Sequence, residues 1–169
     1  MAARTQTTIT PVTIMITMIR IALAGFLLAG LSSQANAQTV EECDWRTFAA
    51  ALAEPWEEKT RTFANGEVRL AVTDTVEPAA GAFHLMILSP PFDELGTRQC
   101  RVVSADGSIG FAGLTLSGMT SAYDPTVGLT FTFEAGAYDP ETGGTLPRAL
   151  TVTLNQATGD IRARLQGGK

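Results

Sequence analysis

This sequence is short of the residues that most site chemistry needs. It holds one histidine, two cysteines and 7% aromatic residues in a chain of 169. That inventory excludes a multi-cysteine zinc site, an iron–sulfur cluster and a histidine-rich metal centre. No Cys-x-x-Cys occurs, which excludes a close redox pair. No basic run occurs either, and the net charge is −5. Nucleic acid and anionic lipid both require clustered Lys and Arg, so neither is expected as a main partner. There is no Gly-x-Ser-x-Gly elbow and no Asp-x-Asp-x-Asp-Gly loop. Nothing in the chain implies a cofactor or a bound metal.

What is present begins with an address. Residues 21–31 form an apolar run of eleven, with Arg20 just before it and no acidic residue before Glu41. Ser32, Ser33 and Gln34 follow, then Ala35-Asn36-Ala37. Small residues at Ala35 and Ala37 are what a signal peptidase requires. The pattern predicts a secretory signal over residues 1–37, cut between Ala37 and Gln38, and a periplasmic or extracellular residence. The rival is a membrane anchor over residues 11–31, long enough to span a bilayer. Thr13, Thr17 and Arg20 interrupt it. Met18-Ile19-Arg20 and the run behind it also make a compact signal, which leaves a true start at Met18 open. No cysteine near the cleavage point offers a lipid attachment, so no stable membrane anchor is expected after cleavage. Removing 37 residues of 169 leaves 132. Residues 38–169 then form one β-rich domain. With ten basic and seventeen acidic residues, its net charge is −7.

Cys43 and Cys100 are an even count in an exported chain, which predicts one structural disulfide. In the chain-entropy model a loop of that size stabilises by roughly 4 kcal/mol.

Thr39 and Glu42 have the spacing of a capping box, and Glu41, Glu42 and Asp44 favour a helix start. Trp45, Phe48, Leu52 and the Ala49-Ala50-Ala51 run give an apolar helical face. The spacing predicts a helix over residues 40–53, stopped by Pro55. Beyond it the period becomes two. Asn65-Gly66 predicts a type I′ hairpin between residues 60–64 and 67–73. Residues 82–88 are apolar on both faces, which predicts a central strand covered on both sides, ended by Pro90-Pro91. Asp106-Gly107 predicts a hairpin between residues 98–105 and 108–116. Leu129, Phe131 and Phe133, then Leu150, Val152 and Leu154, alternate with polar residues. Thr158-Gly159-Asp160 turns into Ile161, Ala163 and Leu165. The fold class is therefore mainly β (α+β): an antiparallel meander of eight or nine short strands, barrel or sandwich, with one N-terminal helix packed on it.

The search for chemistry yields candidates without a constellation. His84 is the only imidazole. A hydrolase would pair it with Ser89 or Asp93; the competing role is a buried, hydrogen-bonded core histidine. Glu57, Glu58, Glu67, Asp93, Glu94, Asp106, Asp124, Glu134 and Asp139 offer carboxylates, but no spacing selects two of them for glycoside hydrolysis. Asp139, Glu141 and Thr142 are too few and too irregular for calcium. The pairs Thr60/Thr62, Thr130/Thr132 and Thr151/Thr153 suit exposed strand faces. The two Tyr-Asp-Pro stretches, at Tyr123 and Tyr138, are good type I turn chemistry. The most distinctive segment is Pro90-Pro91-Phe92-Asp93-Glu94, stiff, apolar and acidic, which is the candidate partner-binding loop. Among Trp45, Trp56, Phe92, Tyr123 and Tyr138, Phe92 is expected exposed and Trp45 in the core.

Three functions fit. One is a non-catalytic binding or structural protein of a bacterial-type envelope. A second is a carrier of a small ligand inside a β-barrel lined by Phe111, Leu129, Phe131, Leu150 and Val152. A third is a small secreted hydrolase. Lacking a catalytic constellation, the sequence favours binding over catalysis. The protein or small molecule bound is not named by any motif.

Overall fold

The computed structural model describes residues 36–167. The expected leader up to residue 35 and the alternative start at Met18 lie outside the described residues. No helix among the described residues is long and apolar enough to cross a membrane.

Among the described residues, ten strands form two antiparallel sheets. The first holds β1 (Asn36–Ala37), β10 (Ile161–Leu165), β9 (Thr145–Leu154), β8 (Gly128–Tyr138) and β7 (Gly113–Asp124), in that order across the sheet. The second holds β2 (Thr39–Glu42), β6 (Arg98–Ser104), β5 (Phe83–Phe92), β4 (Val68–Asp74) and β3 (Thr60–Phe63). The sheets do not close into a barrel; the architecture is a sandwich. Period-two alternation explains the packing. Phe131, Phe133, Leu150, Val152 and Leu154 point inward from the first sheet. Val68, Leu70, Val72, Leu85 and Ile87 meet them from the second, in one buried cluster. Thr130, Thr132, Thr151 and Thr153 take the alternate positions, paired across β8 and β9.

The middle strand of the second sheet is β5, as its two apolar faces predict. Leu85 and Ile87 are fully buried on the inner face and His84 on the outer one. The outer face is covered by the chain between β2 and β3. That cover is not the expected helix. Thr39, Val40, Glu41 and Glu42 instead pair with Ser104, Val103, Val102 and Arg101. Thr39 Oγ1 accepts from Gly107 N at 2.8 Å rather than capping a helix. An open strand edge outweighed a weak local propensity. Past β2 the chain makes two single 3-10 turns, Trp45–Thr47 and Ala49–Ala51, separated by an extended Phe48. Asp44 is the cap, accepting from Arg46 N at 3.0 Å. Pro55, expected as a stop, precedes the short helix α1 (Trp56–Lys59) and accepts from Glu58 N and Lys59 N. Leu52 bridges Thr73, and Ala53 N donates to Val72 O, so the cover lands on the edge of β4.

Three turns also differ from expectation. The hairpin between β3 and β4 closes at Phe63 and Val68 over a four-residue loop, not a two-residue one. Ala64, Asn65 and Gly66 all have positive φ there. Pro90 and Pro91 do not end β5. The strand continues to Phe92 through a break in register after Ser89, and Phe92 pairs with Arg98. Proline is tolerated at such a bulge because no ladder hydrogen bond is required of it. After Asp106-Gly107 only Asp106 and Ile109 pair. Phe111 then bridges Phe83 at the start of β5, and the chain crosses to the first sheet at β7.

Candidate functional site

The disulfide joins Cys43, just past β2, to Cys100 on β6, with a Cα–Cα distance of 5.3 Å. Cys43 N also donates to Cys100 O at 3.2 Å. This staple forms one wall of an open cleft of about 700 Å³ at one end of the sandwich. Pro91, Phe92 and Asp93 form another wall, and the turn of Thr158, Gly159 and Asp160 a third. Both sheets therefore contribute. Three residues of the candidate loop (Pro91, Phe92 and Asp93) line the cleft. Pro90 takes part through its carbonyl alone, and Glu94 is exposed beside it.

The cleft is held by hydrogen bonds that the sequence did not advertise. Gln99 Nε2 donates to Ser89 Oγ at 3.0 Å, Pro90 O at 2.9 Å and Gly159 O at 3.1 Å. One amide thus ties the bulge of β5 to the β9–β10 turn. Asp93 Oδ1 accepts from Leu95 N and Thr97 N, and Asp93 N donates to Thr97 O. Those bonds, the one involving Thr97 first, hold its carboxyl below the usual carboxylate range. Arg98 reaches Glu67 O at 2.8 Å and Gly66 O at 3.0 Å, with its guanidinium 5.9 Å from the Phe92 ring. Arg98 is therefore already committed. Arg101 is freer: its contact with Glu42 is 3.4 Å long and exposed, a geometry worth little. Phe92 is 46% exposed, as expected, although it ends β5 instead of lying in a loop.

His84 lies elsewhere, on the covered outer face of the second sheet. Its Nδ1 is 2.9 Å from Ser104 Oγ. Arg46 Nη1 donates to the same hydroxyl at 3.0 Å and to Gly107 O at 3.0 Å. Because Arg46 already donates to Ser104, the serine proton is free to go to Nδ1. Burial, then the Arg46 charge, lowers the pKa of His84 to about 4. Neither His84 Nε2 nor Thr73 Oγ1, its cross-strand neighbour, has a hydrogen-bond partner among the described residues. Arg46 is also paired with Glu41 and Asp44, both at 2.8 Å.

The hydrolase pairing is not assembled. His84 and Ser89 are five residues apart on one strand, roughly 16 Å at strand rise and on opposite faces. Ser89 is buried and bonded to Pro90 O and Gln99. Asp93 is occupied in its turn. Asp139 spends its carboxylate on Thr142 Oγ1 and Glu141 N, which is turn chemistry. Asp124 does the same with Thr126. Of the aromatic residues, Trp45 corrects its expected place: it is 52% exposed, because the cover folds as 3-10 turns and offers no apolar helical face. Phe111, Phe131, Leu150 and Val152 are buried in the core and Leu129 packs against it.

Comparison with protein-family models, with curated proteins and with solved structures gave no match.

Proposed function

We propose that this protein is an exported, non-catalytic binding domain that holds a segment of a partner protein in the cleft beside its disulfide. The carrying observation is that the Pro-Pro-Phe segment, the staple and the β9–β10 turn converge on one open volume of about 700 Å³. The Phe92 ring offers an apolar anchor, and Arg101, Glu42 and Asp160 surround it with charges of both signs. That mixture suits an extended peptide with an apolar side chain between polar ones. The filled core weighs against carriage of a ligand between the sheets. The disulfide is compatible with an oxidising compartment. The leader pattern supports export, with cleavage between Ala37 and Gln38.

A photoreactive residue placed at Phe92 tests the reading. The control position is Tyr138, equally exposed at 49% but on the far end of β8. Selective cross-linking of one protein from Phe92 in the exported fraction is the expected result. Equal capture from both positions, or none from either, would overturn it.

A further inference from the structure

We propose that Gln38 is a modification site, where removal of the leader lets the residue close on itself as a lactam that finishes the edge of β10. This rests on the export reading above and on cleavage after Ala37.

Gln38 is placed for this by two bonds to one strand. Its backbone N donates to Ala163 O at 3.0 Å. Its side-chain Oε1 accepts from Leu165 N. In an antiparallel ladder with Ala37 opposite Arg164, the acceptor for Leu165 N would ordinarily come from residue 36. Cleavage removes that residue. The side chain of Gln38 then supplies an acceptor from within the shortened chain, so the edge of β10 keeps both bonds.

The same arrangement fixes both reacting groups against β10. Cleavage turns Gln38 N into a primary amine, held beside the residue's own carboxamide by Ala163 and Leu165. The Leu165 N–H polarises the carboxamide oxygen, in the manner of a single oxyanion donor. The amine attacks Cδ. A bond forms between N and Cδ, the bond from Cδ to Nε2 breaks, and Nε2 leaves as ammonia with the proton that the amine sheds. No oxidant or co-reactant is needed. The lactam keeps one N–H and one carbonyl oxygen, the same two atoms that hold β10. The departing nitrogen is neither of them. The result is a chain without a free α-amine at this edge, closed to aminopeptidases.

The test is mass mapping of the N-terminal peptide from the protein recovered in the exported fraction. The expected peptide starts at Gln38 and is lighter by one ammonia. A peptide starting at Gln38 with an open amine overturns the cyclisation and leaves the export reading standing. A peptide starting elsewhere, or a retained leader, overturns the cleavage assignment and the proposal with it. A second measurement separates the fold's role from spontaneous chemistry. Protein freshly released to begin at Gln38 is held near pH 8, folded or in denaturant. Ammonia loss should be roughly ten-fold faster when folded, the modest end of what positioning and one oxyanion donor provide. Equal rates would overturn the role of β10. In Gln38→Ala, the Leu165 amide should lose its hydrogen-exchange protection, which the lactam form should retain.

Discussion

Arg46 and Ser104, 58 positions apart, are joined by a 3.0 Å bond from Nη1 to Oγ, and both side chains are buried. This bond fastens the cover to the outer face of the second sheet. The two carboxylates paired with Arg46 are 47% and 38% exposed, so water screens much of their attraction. The buried bond to Ser104 and the half-buried one to Gly107 contribute more. Arg46→Ala should therefore cost about 2–3 kcal/mol, from lost buried acceptor contacts and lost packing of the stem. Arg46→Lys should recover less than half, because an ammonium cannot reproduce the fork that reaches Ser104, Gly107 and both acids. Urea unfolding at pH 7 measures both; a cost under ~0.5 kcal/mol for the alanine variant would mean the cover holds without this residue.

His84 gives the fold a pH dependence with a definite sign. Its folded pKa is lowered from 6.5 to about 4. Between those values the unfolded chain binds a proton that the folded chain does not. Stability from this group is therefore complete above pH 6.5 and falls as the pH drops to 4, by about 3 kcal/mol in all. The groups acting on it are Arg46, which lowers the value, and Asp44 and Asp74, which raise it. Asp44, held low mainly by its bond to Arg46, contributes stability that is lost at more acidic pH still. His84→Gln should flatten the difference between unfolding at pH 7 and pH 4.5. If the variant keeps the wild-type slope, the acid sensitivity belongs to carboxylates.

Thr73 and His84 face each other across β4 and β5, each with a polar atom that has no partner among the described residues. A buried hydroxyl without a partner costs desolvation and returns nothing. Thr73→Val removes it at equal shape. The variant should be as stable as the wild type or gain up to ~1 kcal/mol in thermal unfolding. A loss above that size would reveal a hydrogen bond made by this hydroxyl in solution.

Much of the framework was legible because it obeys period two. Val68, Leu70 and Val72 alternate, as do Phe131 and Phe133 and Leu150, Val152 and Leu154, and all of these are in the core. The Cys43–Cys100 bond was readable from the cysteine count. Two of the failures share one cause: non-local pairing decided the local state. Thr39 and Glu42 read as a capping box, yet β6 presented an edge, and strand pairing won. Pro90-Pro91 reads as a terminator, yet Gln99 on the neighbouring strand bonds Pro90 O and carries β5 past it. At the cleft, Phe92 was readable from its neighbours. Gln99, Arg101 and Gly159 were not, because only the closing of two sheets places them together.

The disulfide should matter in proportion to the loop it closes. Cys43 and Cys100 are 57 positions apart. In the chain-entropy model a loop of this length is worth about 4 kcal/mol. The staple also anchors the start of the cover, so reduction should loosen residues near Arg46 first. Differential scanning with and without reductant should show a large drop in Tm. A shift of only a degree or two would mean that β2–β6 pairing alone holds this edge.

Gly159, in the β9–β10 turn, lies against Pro91 and Gln99 of the second sheet at the cleft. Its φ is +78°, a region where side chains are strained. A Cβ there would lie 2.7 Å from Pro91 Cδ and 3.1 Å from both polar atoms of the Gln99 amide. Pro91 is stiff and cannot yield, and Gln99 can yield only by giving up its bonds to Pro90 and Gly159. Gly159→Ala should therefore lower stability by about 1–3 kcal/mol and widen the cleft. It should also reduce cross-linking from Phe92, because the wall opposite that ring moves. The companion change Gln99→Ala makes room for the new methyl while removing the clasp. If the contact with Gln99 is the dominant cost, the double variant should be less destabilised than the sum of the singles. Strict additivity would place the cost in the backbone of the turn and the contact with Pro91, and not in the contact with Gln99.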